Sequence, residues 1–447
     1  MQSRCCATIR ARANTRSSTP STSRWSRTRS RSAPDLSGGG GRPAAFLFPQ
    51  GNRSMDPVSA TDRYLATIPA ARAALATAYT QGGHWLVLWG WLFSVLVPIL
   101  ILRTGLMRRI AAKVAGEKDR KNRAVFAVAV TFFLLHWLLL LPWDAYADWW
   151  RERSYGITSI AGGAWFAQSL ISAIFSAISG GVFLVLLYLL IRRTGRHWWL
   201  WGTGISAVAL FGAIVLQPLL LGPVFQKFTP LPQGPVRETV VAIAHETGTA
   251  ADQIVIAHGR DGPSYTARVD GLGSFARIVL GEGLVATPVD TAALRAVVAH
   301  EIGHYKHQHL LWLTLFMTVL VAVALLAIDR LFTNVARLLG AGDTRIADPA
   351  ALPVLAVIFA TFVFVTTPLI NTALRSVELD ADRYGLDHAR EPDGAARALL
   401  KTVDYRAPSP GRIEEILFYE HPSIRHRIEN AVAWKAEHPA AAPATAR

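Results

Sequence analysis

The stretch HEIGHYKHQH, residues 300–309, places two histidines and a glutamate at a spacing typical of metal sites. His300, Glu301 and His304 form the pattern H-E-x-x-H. On a helix, residues four apart lie on the same face, so both imidazoles can bind one Zn²⁺ ion. Glu301 lies beside them and can take a proton from a water molecule whose pKa the ion lowers to about 7. The spacing therefore predicts a hydrolytic zinc site on a helix.

A third protein ligand is required, because a catalytic zinc site uses three side chains and keeps one position open. Two long apolar runs follow the motif, so the chain crosses an apolar layer twice and returns to the side of the motif. The next segment reads NTALRSVELDADRYGLDH. On this predicted helix, Glu378 suits the third ligand, and Asp382, one turn later, suits an acceptor that orients a ligating histidine. The alternative is that both acids lie on a solvated helix face.

Three further histidines compete with these residues or could assist them. His307 and His309 follow His304 by three and five residues, and on a continuous helix they point away from the metal-binding face. We therefore expect both at the membrane interface. His421 precedes a proline in EHPSIRHRI. A histidine at such a helix start is either structural or a stabiliser of an oxyanion.

Composition indicates which elements must position these side chains. The chain has 447 residues, of which 51% are hydrophobic and 17% are charged, and its mean hydropathy is +0.28. These values are typical of a membrane protein. Six apolar runs are long enough, at about 20 residues, to span a hydrocarbon layer about 30 Å thick, and none contains Lys, Arg, Asp or Glu. The runs are residues 84–102, 124–142, 169–191, 198–221, 310–328 and 352–370.

A membrane transporter or a catalytically silent scaffold is the alternative class of function. A transporter is expected to carry ionisable residues within its spans. Here His136 lies inside a run, and a lone intramembrane histidine is weak evidence for a proton relay. The pattern of charges therefore favours an enzyme.

The first 54 residues differ in composition from the rest of the chain. They hold ten arginines and a single acidic residue, Asp35, and such a stretch cannot build a core. We expect a disordered tail, which is either a basic arm or transit peptide or the product of a mis-assigned start, with translation beginning at Met55. The two cysteines, Cys5 and Cys6, lie in this tail. The folded body therefore has no thiolate metal site and no catalytic cysteine.

The predicted organisation alternates membrane regions with polar ones. It consists of a tail (1–54), a membrane region with four spans (55–221), a peptidase region with the motif helix (222–309), two spans (310–370) and a C-terminal peptidase region with the third ligand (371–447). No Gly-rich phosphate loop is present, and no basic and aromatic stripe suits nucleic acid. The expected partners are the lipid bilayer and a peptide or protein substrate.

Local signals in the polar regions predict individual elements. A helix is expected near 235–247, and QIVIAH and ARIVLGEGLV read as strands. Before the motif helix, Thr287 is expected to cap, with Pro288 in the first turn and Asp290 as a capping-box acid. The C-terminal region reads as helix, a turn at RAPSPGR, and helix.

Five motifs together resemble those of a known family. VVAHEIGHYKHQH, NTALRSVELDAD, HPSIRHRI, QKFTPLPQG and RERSYGIT are similar to motifs of the integral-membrane zinc metallopeptidases of the CAAX prenyl protease 1 type, the Ste-family endopeptidases. The resemblance covers roughly residues 84–436, and the spacing between motifs is more specific than H-E-x-x-H alone. It implies a mainly α fold, in which a polytopic bundle of about six spans encloses a chamber next to a small α+β, gluzincin-like zinc peptidase domain.

The resemblance also implies a role for each site residue. One Zn²⁺ per chain is bound by His300, His304 and Glu378, Glu301 is the general base, Asp382 supports a ligand, and His421 and Arg427 help to hold the substrate or the tetrahedral intermediate. Two departures stand out. The chain has six predicted spans where this type often has seven, the first being the one that is missing. An Asn-Ala pair is expected on a substrate-aligning edge strand, yet SYTARVDG supplies Thr266 and Ala267. An edge strand can still bind an extended peptide through its backbone.

The substrate and the membrane side follow less directly from the sequence. The resemblance implies C-terminal cleavage of prenylated CAAX proteins, but the high Ala, Arg and Gly usage looks bacterial, which favours quality control of membrane proteins in a plasma membrane. The loop 103–123 is rich in Lys and Arg, and the positive-inside rule places it in the cytoplasm and residues 222–309 outside. The resemblance implies a cytoplasmic catalytic face. We expect the cytoplasmic face, because long domains weaken charge counts.

Overall fold

The computed structural model describes residues 57–116, 121–220, 227–250, 253–258, 265–271, 276–342, 344–403 and 406–439. The predicted tail over residues 1–54, with both cysteines, and the predicted start at Met55 lie outside these residues. The described part of the chain is mainly helical and contains one small sheet.

Seven helices are described before the sheet. They are α1 (Pro57–Ala66), α2 (Ala70–Arg103), α3 (Leu106–Ala115), α4 (Lys121–Asp144), α5 (Arg151–Ser154), α6 (Gly162–Thr194) and α7 (Trp198–Leu220). A π-helical turn, Ala145–Trp150, joins α4 to α5, and a 3₁₀ turn, Gly195–His197, joins α6 to α7. The four long helices among them coincide with the first four apolar runs.

The sheet and eight further helices make up the remaining described residues. They are β1 (Lys227–Pro230), α8 (Pro235–Glu246), β2 (Ile254–His258), β3 (Ala267–Asp270), β4 (Arg277–Gly281), α9 (Glu282–Val285), α10 (Thr291–Lys306), α11 (His309–Leu338), α12 (Leu352–Ala389), α13 (Pro392–Leu400), α14 (Arg412–Phe418) and α15 (Ile424–Glu437). The predicted helix near 235–247 and the strand in QIVIAH are confirmed. ARIVLGEGLV is a strand only as far as Gly281 and continues as α9.

Five described stretches are long and apolar enough to cross a membrane. One of them, Gly162–Ile214, has 53 residues and contains α6 and most of α7. At about 1.5 Å per residue, a straight helix of that length would be far longer than a bilayer is thick, and α6 instead turns at Gly195–His197 and packs against α7. With α2, α4, α11 and α12, six helices therefore correspond to the six predicted runs.

The sheet has four strands in the order β1-β2-β4-β3. Strands β2 and β4 are parallel, and the outer strands β1 and β3 each pair antiparallel with a neighbour. Strand β3 therefore lies at one edge, and it contacts α10, the helix that carries the H-E-x-x-H motif. The sheet thus brings an open edge next to the motif.

Helix α10 is held by its apolar face. Leu294, Val298 and Ile302, spaced four residues apart, are almost fully buried in a core that α8 and the sheet share. Burying a side chain of this size contributes about 1.5–3 kcal/mol. This packing fixes the rotation of α10 and turns the neighbouring motif residues toward α12, against which α10 packs.

The start of α10 differs from its prediction. The helix begins at Thr291, and the carboxylate of Asp290 accepts a hydrogen bond of 3.0 Å from the backbone N–H of Ala293. Asp290 is therefore the N-cap, and the expected capping by Thr287 is wrong. An aspartate one residue before the helix satisfies a free backbone donor directly, and Arg397 of α13 binds the same carboxylate at 2.6 and 2.9 Å.

Polar contacts join the ends of the membrane helices to the peptidase region. Tyr79 in the first part of α2 donates a hydrogen bond to Glu152 of α5 at 2.7 Å, and His84 of α2 lies 3.7 Å from Glu414 of α14. Tyr64 of α1 binds Asp393 of α13 at 2.7 Å. The beginning of α2, the end of the α4–α5 segment and the C-terminal helices therefore lie at one end of the bundle, together with the motif.

Candidate metal centre

Two imidazoles and a carboxylate meet between α10 and α12. The Nε2 atoms of His300 and His304 lie 3.1 Å apart. From α12, Oε2 of Glu378 lies 3.5 Å from Nε2 of His300, and Oε1 lies 3.5 Å from Nε2 of His304. One ligand atom from each of the three residues falls within 4.8 Å of the others. This group can hold a metal ion.

Two glycines let α10 and α12 approach closely enough to form this group. A β-carbon on Gly303 of α10 would lie 3.0 Å from Cβ of Tyr384, and a β-carbon on Gly385 of α12 would lie 3.2 Å from the backbone nitrogen of His300. Both contacts are tighter than side chains normally allow. The missing side chains therefore set the distance between the two helices that carry the ligand atoms.

A carboxylate and a guanidinium support His300. Oδ1 of Asp382 lies 2.9 Å from Nδ1 of His300, within ion-pair distance but off the direction of a full hydrogen bond. Arg427 of α15 donates to both oxygens of Asp382, at 2.7 and 2.5 Å. This paired contact fixes the carboxylate of Asp382. The Nη1 atom of Arg427 also lies 4.0 Å from Glu378. Asp382 thus connects α15 to a histidine of the metal group.

The protonation of the three motif residues depends on burial and on nearby charges. Burial raises the pKa of Glu301 to about 7, which makes this carboxyl a usable base near neutral pH. Burial, aided by the neighbouring His300, lowers the pKa of His304 to about 3. At His300 burial also opposes the charge, but Asp382 and Glu378 outweigh it and raise the pKa to about 10. A metal ion bound at His300 would therefore have to displace a proton.

His421 lies next to Glu378, in the segment between α14 and α15. Its Nε2 atom is 3.3 Å from Oε1 of Glu378. Burial lowers the pKa of His421 to about 3, and Arg406 acts in the same direction, so the imidazole is neutral. Its Nδ1 atom is buried and makes no hydrogen bond within the described residues. A neutral imidazole at this position can donate one N–H toward the group.

Two family models match adjacent parts of the chain. The model described as Peptidase family M48 matches residues 230–435. The model described as CAAX prenyl protease N-terminal, five membrane helices, matches residues 61–227. Together they cover the membrane helices, the motif helix and the helices that carry the other site residues. The chain belongs to peptidase family M48.

Curated proteins and a solved structure are similar to this M48 protein over much of their length. It is 25% identical over 357 residues to the uncharacterized metalloprotease YhfN of Bacillus subtilis, covering 76% of this chain and 82% of that protein. It is 26% identical over 302 residues to a CAAX prenyl protease 1 homolog of Dictyostelium discoideum, covering 66% and 70%. The crystal structure of S. mikatae Ste24p has a TM-score of 0.68 at 18% identity, covering 84% of this chain and 95% of that one.

This M48 protein is therefore a multi-pass membrane metallopeptidase of the CAAX prenyl protease-like type, and peptides are its substrates. The resemblance read from the motifs is confirmed, as is the chambered helical fold that it implies. Nothing in the comparisons supports a scaffold or a transporter. The family model for residues 61–227 is described as having five membrane helices, and the described part of this range contains four long apolar ones. With α11 and α12, the described residues contain six long apolar helices, which is the predicted number of spans.

The structure brings the edge strand of this M48 peptidase close to the motif. Strand β3 begins at Ala267, and the carbonyl of Thr266 accepts a hydrogen bond of 2.8 Å from the backbone of Gly281 on β4. Arg268 of β3 is close enough to Glu301 to influence its pKa. The outer edge of β3 pairs with no strand in the described part of the sheet. Thr266 and Ala267 thus lie at the start of an edge that runs beside Glu301.

The expected position of His309 in the M48 peptidase is wrong. Its Nδ1 atom lies 2.9 Å from Nδ1 of His304, so it does not point away from the metal-binding face. Helix α10 ends at Lys306, and Gln308 adopts a left-handed backbone with φ 53° before α11 begins. Counting along a continuous helix fails across this break. Through the same break, Nε2 of His309 comes to lie 2.9 Å from Asp380 of α12.

Proposed function

We propose that the chain is a zinc-dependent membrane endopeptidase, with His300, His304 and Glu378 as ligands of one Zn²⁺ per chain. The size of the group they form carries this proposal, because the two Nε2 atoms lie 3.1 Å apart and each lies 3.5 Å from one of the two carboxylate oxygens of Glu378. Ligand atoms about 2.0–2.1 Å from a tetrahedral zinc ion lie about 3.3 Å from one another. Two imidazoles and one carboxylate are also a donor set that catalytic zinc sites use.

The reaction proposed for this group is hydrolysis of a peptide bond. Bound zinc would polarise the scissile carbonyl and lower the pKa of the attacking water. Glu301 would accept the proton of that water and pass it to the leaving amine, a role that suits a pKa of about 7. Asp382 would keep His300 oriented with its Nε2 atom toward the ion.

His421 and Arg427 are proposed to act on the reacting carbonyl group. The neutral imidazole of His421, 3.3 Å from Glu378, could donate an N–H to the developing oxyanion. Arg427 donates from Nε and Nη2 to Asp382, and its Nη1 atom lies 4.0 Å from Glu378, so this guanidinium adjoins the proposed metal group.

The substrate is proposed to bind as an extended peptide along β3. An edge strand offers backbone N–H and C=O groups that pair with a peptide of any sequence. Thr266 and Ala267 lie at the start of this edge and would align the residues next to the scissile bond. Because β3 contacts α10, a peptide bound along it would pass beside Glu301.

Membrane-anchored proteins are the proposed substrates. The site lies at the end of the helical bundle, so the bonds within its reach are those close to a membrane surface. Two classes fit: prenylated proteins of the CAAX type, which the relatives' names indicate for those proteins, and membrane proteins removed by quality control. The bacterial character of the composition favours quality control in a plasma membrane.

A pair of peptides distinguishes these classes and tests the peptidase proposal. Purified protein in liposomes would be assayed with a quenched fluorescent peptide in a prenylated and an unprenylated form, with and without a zinc chelator. Chelator-sensitive cleavage of the unprenylated peptide supports the quality-control role. Cleavage of the prenylated form alone supports the CAAX role. Cleavage of neither form by zinc-loaded protein would count against the peptidase proposal.

The catalytic face is proposed to be cytoplasmic, although the charge pattern disagrees. At the end of the bundle opposite the motif, the described basic residues include Arg103, Arg108, Arg109, Lys113, Arg192, Arg193, Arg196, Arg337 and Arg345. The positive-inside rule favours a cytoplasmic position for that end. The similarity to CAAX prenyl proteases supports the opposite orientation, and a long folded domain limits the weight of charge counts.

A further inference from the structure

We propose that His309 is a positioning residue for His304, and that it connects His304 to Asp380. The inference rests on the proposed function, because it assigns His304 as a zinc ligand through Nε2. Nδ1 of His304 lies 2.9 Å from Nδ1 of His309, and Nε2 of His309 lies 2.9 Å from Oδ2 of Asp380. His309 is only 6% exposed, so these neighbours rather than water satisfy its ring nitrogens.

If the rings of His304 and His309 are both neutral, their hydrogens can be assigned in a single way. A neutral imidazole carries a single N–H. A ligand nitrogen must be bare, so the hydrogen of His304 lies on Nδ1 and is donated to His309. Nδ1 of His309 must then be bare, which places its own hydrogen on Nε2, facing Asp380. Each ring nitrogen of His309 thus has one partner of the correct kind.

The same assignment argues against a second metal site next to the first. His307, His309 and Asp380 also form a group that could hold a cation. A cation bound by Nε2 of His309 would move the hydrogen of that ring to Nδ1, where it would face the Nδ1–H of His304 at 2.9 Å. Two donors at this distance repel each other. An ion in this group would therefore oppose metal binding by His304.

The break between α10 and α11 builds this contact. Helix α10 ends at Lys306, His307 is its C-cap, Gln308 turns the chain with its left-handed backbone, and His309 begins α11 in contact with His304. Asp380 comes from α12, two residues after Glu378. Each candidate histidine ligand is therefore connected to its own carboxylate of α12, His300 directly to Asp382 and His304 through His309 to Asp380.

Zinc affinity of purified variants, measured by competition with a chelator, tests the proposal. Losing a partner of a metal-bound histidine typically costs about 10 to 100-fold in affinity, and we expect a loss of this size in His309→Leu. His309→Gln can accept from His304 and donate to Asp380, so it should recover most of the affinity. The visible spectrum of Co²⁺-substituted protein should change in His309→Leu and resemble wild type in His309→Gln.

His307→Leu is the matched control, because His307 contacts Asp380 but not His304. It should bind one zinc ion with the affinity of the wild type. Wild-type affinity and spectrum in His309→Leu would overturn the proposal. So would two zinc ions per wild-type chain, one of them lost in His307→Leu. Failure of the wild type to bind zinc or to cleave peptides would instead overturn the proposed function. Should His309→Leu not fold, an affinity in His309→Gln more than about 100-fold below wild type would count against the proposal.

Discussion

Gly385 lies directly against the backbone of His300, and a β-carbon at position 385 would approach the amide nitrogen of His300 to 3.2 Å. The first histidine of the motif therefore rests on a helix that carries two acids of the site, Glu378 and Asp382. The distance between α10 and α12 is part of the geometry of the metal group. A substitution at this contact should change metal binding without removing any ligand.

Gly385→Ala is expected to weaken metal binding, because α12 must move by a few tenths of an ångström to accept the methyl group. Overpacking costs about 1–3 kcal/mol, and the better helix propensity of alanine returns about 1 kcal/mol. The expected net loss in the free energy of unfolding is up to about 2 kcal/mol. It is measured by thermal unfolding of the zinc-loaded protein in detergent, and zinc affinity is measured by competition with a chelator. Gly204→Ala in α7 is the matched control, because its β-carbon meets no atom within 4 Å. A normal zinc affinity in Gly385→Ala would contradict this account of the contact.

Asp290→Ala is expected to destabilise the start of the motif helix by about 0.5–2 kcal/mol, because the N-cap hydrogen bond to Ala293 is lost. Asp290→Asn keeps an acceptor there and should lie close to wild type, since the pair with Arg397 is partly exposed and exposed pairs contribute little. Chemical unfolding of the three proteins measures both effects. Equal losses in the two variants would show that the ion pair, and not the cap, matters.

The pH dependence of that stability follows from the same contact. The hydrogen bond from Arg397, aided by the backbone of Ala293, holds the pKa of Asp290 below its usual range. A lowered pKa in the folded state means that the contribution is fully present above the unfolded pKa of about 3.9 and is lost as pH falls through the lowered value. The difference in stability between wild type and Asp290→Ala should therefore shrink only in that acidic range.

The parts of this molecule that the sequence predicted depend on short-range rules. The spans followed from length and the absence of charge, and the pairing of His300 with His304 followed from helical spacing. Glu378 could be predicted as the third ligand only by counting the two membrane crossings that return the chain to the side of the motif. The miss that affects the site occurred where a single backbone angle decides the outcome. The left-handed turn at Gln308 redirects His309 toward His304, and no spacing rule carries through such a turn.

Removing any one ligand should deplete the bound metal. We expect His300→Ala, His304→Ala and Glu378→Ala each to lose zinc, because two ligands make a poor site. Elemental analysis of the purified variants measures the occupancy. Full zinc in Glu378→Ala would exclude that residue as a ligand and direct attention to Asp380 or His307.

Asp382→Ala should have a smaller effect on zinc than the loss of a ligand. A carboxylate that orients a ligating histidine typically contributes about 10 to 100-fold in affinity or activity. The variant also leaves the guanidinium of Arg427 without its paired acceptor. Asp382→Asn, which keeps one acceptor oxygen, is the matched variant for zinc titration. A zinc affinity of Asp382→Ala equal to wild type would contradict the supporting role of this residue.

Reporter fusions determine the side of the membrane on which the site lies. If the catalytic face is cytoplasmic, a reporter enzyme that works only in the cytoplasm should be active when it is fused after Thr229. Reporters fused after Arg196 and after Arg345 should be active only outside the cytoplasm, because both positions lie at the opposite end of the bundle. The reverse pattern would place the catalytic face outside, in agreement with the positive-inside rule.

The central claim is zinc-assisted hydrolysis with Glu301 as the base, and Glu301→Gln tests it most directly. This substitution keeps the size of the side chain and replaces none of the proposed ligands, so the protein should still bind one zinc ion per chain. Loss of a general base typically costs about 10² to 10⁴-fold, and Glu238→Gln on the exposed face of α8 is the control for the loss of one charge. The measurement is cleavage of a quenched fluorescent peptide at equal zinc content. The account predicts that turnover collapses in Glu301→Gln alone, and equal rates for wild type and Glu301→Gln would contradict it.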